Sequence, residues 1–124
     1  MIKGIGLDVI EVERVAEKIE KEQGFRELVF APEEIDYCEP KTHKYEHYAA
    51  RFSAKEAFLK ALGTGWAPGT AFNEILILGD DEGKPQISLT GNTAATLHHL
   101  DLSKVHLSVS HLKNIAAAVV VIEE

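Results

Sequence analysis

From residue 2 to residue 10 bulky apolar side chains alternate with small or acidic ones, which predicts a strand with Lys3, Ile5, Leu7 and Val9 on one face and Gly4, Gly6 and Asp8 on the other. The period then changes. Val12, Val15, Ala16 and Ile19 recur at helical spacing, so residues 11–22 read as an amphipathic helix with Gly24 as its stop. A second helix starts at Ala31-Pro32-Glu33-Glu34, where proline suits the first turn and two carboxylates meet the positive end of the helix dipole. Residues 40–47 are polar and aperiodic, the pattern of a long loop.

Residues 48–62 are dense in Ala, Phe, Leu, Lys and Glu and hold neither Gly nor Pro, which predicts a helix ended by Gly63-Thr64-Gly65. It is apolar around most of its circumference, so it is expected at the centre of the fold. Strands at 74–78 and 86–90 flank the acidic turn Gly79-Asp80-Asp81-Glu82-Gly83 and make an antiparallel hairpin. A helix at 92–100, with Asn92 as its N-cap, precedes strands at 106–110 and 115–122. The last strand has no polar face and calls for cover on both sides. Either a second protomer supplies the missing cover or the helices after Val12 and Asn92 do, and periodicity does not choose between them.

These elements amount to an α+β fold with a long central helix packed on an antiparallel sheet, and 124 residues suit one domain spanning 1–124. A hydrophobic fraction of 45% with 27% charged residues is that of an ordinary globular protein, and no apolar run is long enough to span a bilayer. No signal-peptide pattern follows Met1, and Cys38 has no partner for an internal disulfide, so a reducing, cytoplasmic setting is expected. Twenty acidic against thirteen basic residues give a net charge of −7, which argues against nucleic-acid and anionic-membrane binding. A polyanionic ligand would need a local basic cluster.

Asp8 ends the glycine face of the first strand, where the missing side chains would leave room for a ligand. It equally suits a helix N-cap. Ser53, Glu56 and Lys60 share one narrow stripe of the central helix. Two readings fit that stripe: an i,i+4 Glu56–Lys60 ion pair, or a carboxylate that joins Asp8 in holding Mg²⁺ while Lys60 meets substrate phosphates. Spacing alone does not bring Asp8 to Glu56. On the first helix Arg14, Lys18 and Lys21 form a basic ridge opposite the apolar face, open to an acidic partner or paired with Glu13, Glu17 and Glu20.

Ile5-Gly6-Leu7-Asp8 with Arg14, the segment Arg51-Phe52-Ser53-Ala54-Lys55-Glu56-Ala57-Phe58-Leu59-Lys60-Ala61-Leu62-Gly63, and Ser108-Val109-Ser110-His111 before Ala116 together resemble the small 4′-phosphopantetheinyl transferases, the holo-acyl carrier protein synthase family. The match keeps the family's order from residue 2 to the C-terminus and is weakest over 40–47 and 96–104. The resemblance implies transfer of 4′-phosphopantetheine from coenzyme A to a serine of apo-acyl carrier protein, releasing adenosine 3′,5′-bisphosphate, in support of fatty acid biosynthesis. It implies Asp8 and Glu56 as Mg²⁺ ligands and Lys60 beside the coenzyme A phosphates. It further implies Arg51, Gly63 and His111 at the coenzyme A site, Arg14 at the carrier protein, where the ridge of Lys18 and Lys21 would join it, and a homotrimer with sites between subunits.

Other patterns compete less well. His43-Lys44-Tyr45-Glu46-His47 fits H-x-x-E-H, a zinc-hydrolase pattern, but follows Pro40 in a polar stretch without an evident third ligand. His98 and His99 are adjacent and point apart on a helix, as surface residues do. Cys38 lacks an activating neighbour. A silent binding module is the remaining rival, and the joint presence of Asp8, Glu56 and Lys60 argues for catalysis instead.

Overall fold

The computed structural model describes residues 1–65 and 67–124. The first half of the chain runs β1 (Ile2–Glu11), α1 (Val12–Lys21), α2 (Phe25–Val29), α3 (Pro32–Cys38) and α4 (Lys44–Leu62). The second half runs β2 (Ile75–Gly79), β3 (Pro85–Leu89), α5 (Gly91–Thr96), β4 (Val105–His111) and β5 (Ile115–Glu123), with 3-10 turns at Phe72–Glu74 and Leu102–Lys104. An antiparallel sheet ordered β1-β5-β4 carries α4 across one face, and β2 and β3 form a separate antiparallel hairpin that leans on β4. This is the expected α+β arrangement of a central helix on a sheet.

The strand register decides which side chains meet the helix. Gly4, Gly6 and Asp8 pair with Ile122, Val120 and Ala118, and those β5 residues pair in turn with Val105, Leu107 and Val109. All of them sit on the α4 side. A Cβ at Gly6 would lie 1.8 Å from the carbonyl oxygen of Ala57, and one at Gly4 2.0 Å from that of Ala61. The glycine face is therefore filled by helix backbone, which corrects the expectation that it stays open for a ligand. The bulky face points outward instead: Ile5, Leu7 and Val9 are each 60% exposed. On β5 the pattern splits in the same way, with Ala116, Ala118, Val120 and Ile122 buried and Ala117, Val119 and Val121 only half-buried. Within one chain, cover is complete on one side of the sheet.

Several boundaries differ from the sequence reading for local reasons. The loop expected at 40–47 closes early, because α4 begins at Lys44 with Glu46 in its first turn, where a carboxylate meets the helix dipole favourably. Gly24, at φ +85°, caps the start of the five-residue α2 rather than ending α1, which stops at Lys21. The helix at 92–100 shortens to α5, whose cap is Thr90 and whose first amides are held by the Glu74 carboxylate through Asn92 N and Thr93 N. Gly63, at φ +80°, does end α4 as expected, since the left-handed region suits glycine.

Two apolar clusters meet along α4. Ala54, Ala57, Phe58 and Ala61 pack against Val120 and Ile122, while Tyr48 and Ala49 join Val12, Val15, Val29 and Phe30 under α1 and α2. Lys55 breaks the apolar circumference and is fully buried. Its Nζ donates to Val29 O at 2.7 Å, Phe72 O at 2.8 Å and Glu34 Oε1 at 2.6 Å, so all three ammonium protons are used.

Candidate active site

Close packing of β1 on α4 brings Asp8 to the Ser53, Glu56 and Lys60 stripe. Ser53 Oγ donates to the carbonyl oxygen of Asp8 at 2.9 Å, which pins the strand to the helix beside the carboxylate. Lys60 Nζ reaches back one turn and donates to Leu7 O at 3.0 Å and to Asp8 Oδ1 at 3.1 Å. Asp8 thus takes Lys60 as its ion-pair partner, in place of the Glu56–Lys60 pair that spacing allowed. The side chain of Asp8 is 14% exposed while that of Lys60 is 52% exposed, so the lysine stands at the solvent edge and can turn to another anion.

Glu56 is half-buried between Ser53 and Lys60. Burial raises its pKa above the usual carboxylate value, the negative charge of Asp8 raises it further, and Lys60 opposes both. A carboxylate whose charge is disfavoured by burial and by a second carboxylate suits a small divalent cation beside it. The donors are hard oxygens, which match Mg²⁺, and two protein ligands leave places for water and phosphate oxygens.

A second group lies across α4. Because residues advance by about 100° on a helix, His47 and Arg51 point roughly opposite to Ser53, Glu56 and Lys60. They face a cavity of about 600 Å³ with Tyr37 on α3, Asp80 in the β2–β3 turn, and Val109 and His111 on β4. The Arg51 guanidinium lies over the Tyr37 ring at 4.3 Å, and its buried Nε has no hydrogen-bond partner among the described residues. His111 Nδ1 meets Glu46 Oε1 at 3.0 Å, and the His47 and His111 rings meet edge to face at 5.3 Å. Burial and the neighbouring His111 lower the pKa of His47.

The structure therefore joins Asp8 with Glu56 and Lys60, and Arg51 with His111, but holds the two sets on opposite sides of one helix. Gly63 lies at the C-terminal end of α4, where its N–H donates to Lys60 O. Arg14, Lys18 and Lys21 line a shallow groove on α1 with Glu17 and Glu22, and Lys18 pairs with Glu22 at 3.5 Å. His43 is the N-cap of α4 and Glu46 turns to His111, so the H-x-x-E-H residues are not presented from one helix face as a zinc hydrolase requires. Cys38 is buried and its thiol is pushed up to about 11. Sequence reading missed Tyr37 and gave Glu46 only to the zinc pattern. Neither carries a local signal for its contact, since Tyr37 meets Arg51 and Glu46 meets His111, each on another element.

The pattern described as the 4′-phosphopantetheinyl transferase superfamily matches residues 4–120. The holo-[acyl-carrier-protein] synthase of Cytophaga hutchinsonii is 46% identical over 122 residues, covering 97% of this chain and 96% of that protein. Among solved structures, the holo-[acyl-carrier-protein] synthase of Neisseria meningitidis superposes with a TM-score of 0.88 at 32% identity and covers 100% of both chains. That of Bacillus anthracis, in complex with CoA (3′,5′-ADP), gives a TM-score of 0.80 at 35% identity over 100% of this chain and 98% of that one.

Proposed function

The chain belongs to the 4′-phosphopantetheinyl transferase superfamily, and from that membership we propose how its residues perform the reaction of a holo-acyl carrier protein synthase. The enzyme transfers 4′-phosphopantetheine from coenzyme A to a serine of apo-acyl carrier protein, a step that supports fatty acid biosynthesis. The serine oxygen forms a new bond to phosphorus, the bond to adenosine 3′,5′-bisphosphate breaks, and the hydroxyl proton is released. The observation that carries this reading is the convergence of Asp8, Glu56 and Lys60 at the point where β1 is pinned to α4.

In this reading Asp8 and Glu56 hold Mg²⁺, whose chemistry when bound is to neutralise negative charge on the pyrophosphate of coenzyme A. Lys60 leaves Asp8 to meet the same phosphates, and its exposure permits that exchange. Arg51 and His111 hold the nucleotide end in the cavity with Tyr37, and Gly63 lets the chain pass close to the pantetheine arm. The ridge of Arg14, Lys18 and Lys21 begins six residues after Asp8 and receives the acidic carrier protein.

The same reading makes one domain of residues 1–124 and assembles it as a homotrimer in the cytoplasm, where the lone buried Cys38 stays reduced. Two features support the trimer. Ile5, Leu7 and Val9 expose an apolar strip beside the half-buried Ala117, Val119 and Val121, a surface that a second protomer would cover. The carboxylate set and the Arg51–His111 set lie on opposite sides of α4, and two protomers can each present one set to a shared site.

The decisive assay incubates the protein with apo-acyl carrier protein, coenzyme A and Mg²⁺ and reads the carrier mass. The expected result is a gain of one phosphopantetheine that excess chelator abolishes and Mg²⁺ restores, and that Asp8→Ala and Glu56→Ala each lose while remaining folded. No mass gain would refute the reaction, and full activity in chelator would refute the metal.

A further inference from the structure

We propose that Glu46 is a positioning residue that sets His111 for the nucleotide end of coenzyme A. The inference rests on the placement of that nucleotide in the cavity of Arg51 and His111. A carboxylate is an acceptor only, so at 3.0 Å His111 Nδ1–H donates to Glu46 Oε1, which leaves Nε2 as the ring nitrogen free for a ligand. Glu46 is held well enough to do this: its side chain is 18% exposed, less than the 34% of His111, and it sits in the first turn of α4 while His111 ends β4. The bond therefore ties the helix to the sheet edge at the rim of the cavity. The His47 ring stands edge-on to His111 at 5.3 Å and limits the ring's freedom from the other side. A phosphate oxygen can only accept, so when one arrives at Nε2 the ring takes a proton from solvent there, and the imidazolium then donates from Nδ1 to Glu46 and from Nε2 to the phosphate. Without Glu46 the ring is free to flip, or to carry its single proton on either nitrogen.

Glu46→Gln tests this, since it keeps the volume but replaces an obligate acceptor with a group that also donates. In ligand-free protein in mildly alkaline buffer, ring ¹⁵N shifts of His111 should report the Nδ1–H tautomer in the wild type and a mixture in Glu46→Gln. Calorimetric Kd and steady-state KM for coenzyme A should rise about tenfold, the weight of one charge-assisted hydrogen bond, with kcat and the KM for carrier protein within about twofold. His111→Ala should weaken coenzyme A binding at least as much, and the double variant Glu46→Gln/His111→Ala should be no worse than His111→Ala alone. Unchanged His111 tautomers in Glu46→Gln, or additive losses in the double variant, would overturn the positioning role. If His111→Ala itself leaves coenzyme A binding intact, the nucleotide is elsewhere and the underlying site reading fails. If His111→Ala weakens binding and Glu46→Gln does not, only the present inference fails.

Discussion

Glu34 on α3 and Lys55 on α4 meet at 2.6 Å with neither side chain exposed to solvent. Burial draws the Lys55 ammonium down to about 8 although Glu34 opposes the fall, and Glu34 and two carbonyl oxygens surround the charge. Glu34 in turn accepts Ala31 N at 2.9 Å and Ile77 N at 3.0 Å, so one carboxylate joins the start of α3 to the middle of β2. Lys55 precedes Glu56 directly. Removing either partner leaves a buried charge without its counter-ion, and Lys55→Met or Glu34→Gln should each destabilise by about 3–5 kcal/mol in urea unfolding. Changing both at once, to Met and Leu, should cost less than either single change. A double variant weaker than both singles would mean the pair's worth lies in its backbone hydrogen bonds.

Contact of Gly6 with α4 makes a sharper geometric prediction. In Gly6→Ala the new methyl would meet Ala57 O at 1.8 Å and Ala61 N at 2.7 Å, both backbone atoms, so the helix has to move. Overpacking of this kind costs about 1–3 kcal/mol. The displacement also separates Asp8 from Glu56 and Lys60, so kcat should fall by more than the loss of folded protein explains. Wild-type turnover in stably folded Gly6→Ala would disconnect the strand–helix fit from the chemistry.

The alternation of β1 was legible in the sequence, but its direction was not. Apolar Ile5, Leu7 and Val9 would ordinarily face the core, and they face outward because bare Gly4 and Gly6 let helix backbone approach more closely than any side chain could. Hairpin β2–β3 and strands β4 and β5 were readable from turn chemistry and β-branched runs. α2 was not, being five residues with no full amphipathic repeat. Glu56 and Lys60 could be paired from helical spacing, whereas Asp8 stood beside them as one open alternative that only the family resemblance chose. Glu34 and Lys55 are separated by 21 residues, and no local pattern announces such a pair.

Acid sensitivity should centre on Glu39. Its carboxylate accepts from the Tyr48 hydroxyl and from Lys44, with Arg26 adjacent, and these hold its pKa at about 2 against an ordinary 4.5. A depressed carboxyl contributes stability above its unfolded pKa and loses it as pH falls through the folded value, here between 4.5 and about 2. Glu39→Gln should therefore melt below wild type near neutrality, and the gap should narrow as pH drops through that window. Solvent screening keeps the gap modest, since the side chain is 38% exposed. A gap independent of pH would assign the effect to packing.

Charge reversal on α1 should separate the two substrates. Arg14→Glu with Lys18→Glu should raise the KM for carrier protein and weaken its dependence on salt, leaving the KM for coenzyme A unchanged. A change confined to coenzyme A would move the ridge to the other substrate.

The separation of the two residue sets by α4 yields the most discriminating experiment. If each site takes Asp8 and Glu56 from one protomer and Arg51 and His111 from its neighbour, then Asp8→Ala spoils one half and Arg51→Ala/His111→Ala the other. Each variant alone has every site damaged. Mixed by unfolding and refolding together at equal ratio, the chains assemble at random, and a site is intact when its carboxylate half comes from the Arg51→Ala/His111→Ala chain and its basic half from the Asp8→Ala chain. About one quarter of the sites meet both conditions, so activity at low coenzyme A should recover towards that fraction of wild type. Leu7→Asp in both chains, placing charge on the exposed apolar strip, should prevent the recovery and lower the sedimenting mass from near three chains to one. No recovery in a mixture whose mass proves it trimeric would place the whole site within one chain, and the transferase reaction would then need the two sides of α4 to be bridged by coenzyme A itself.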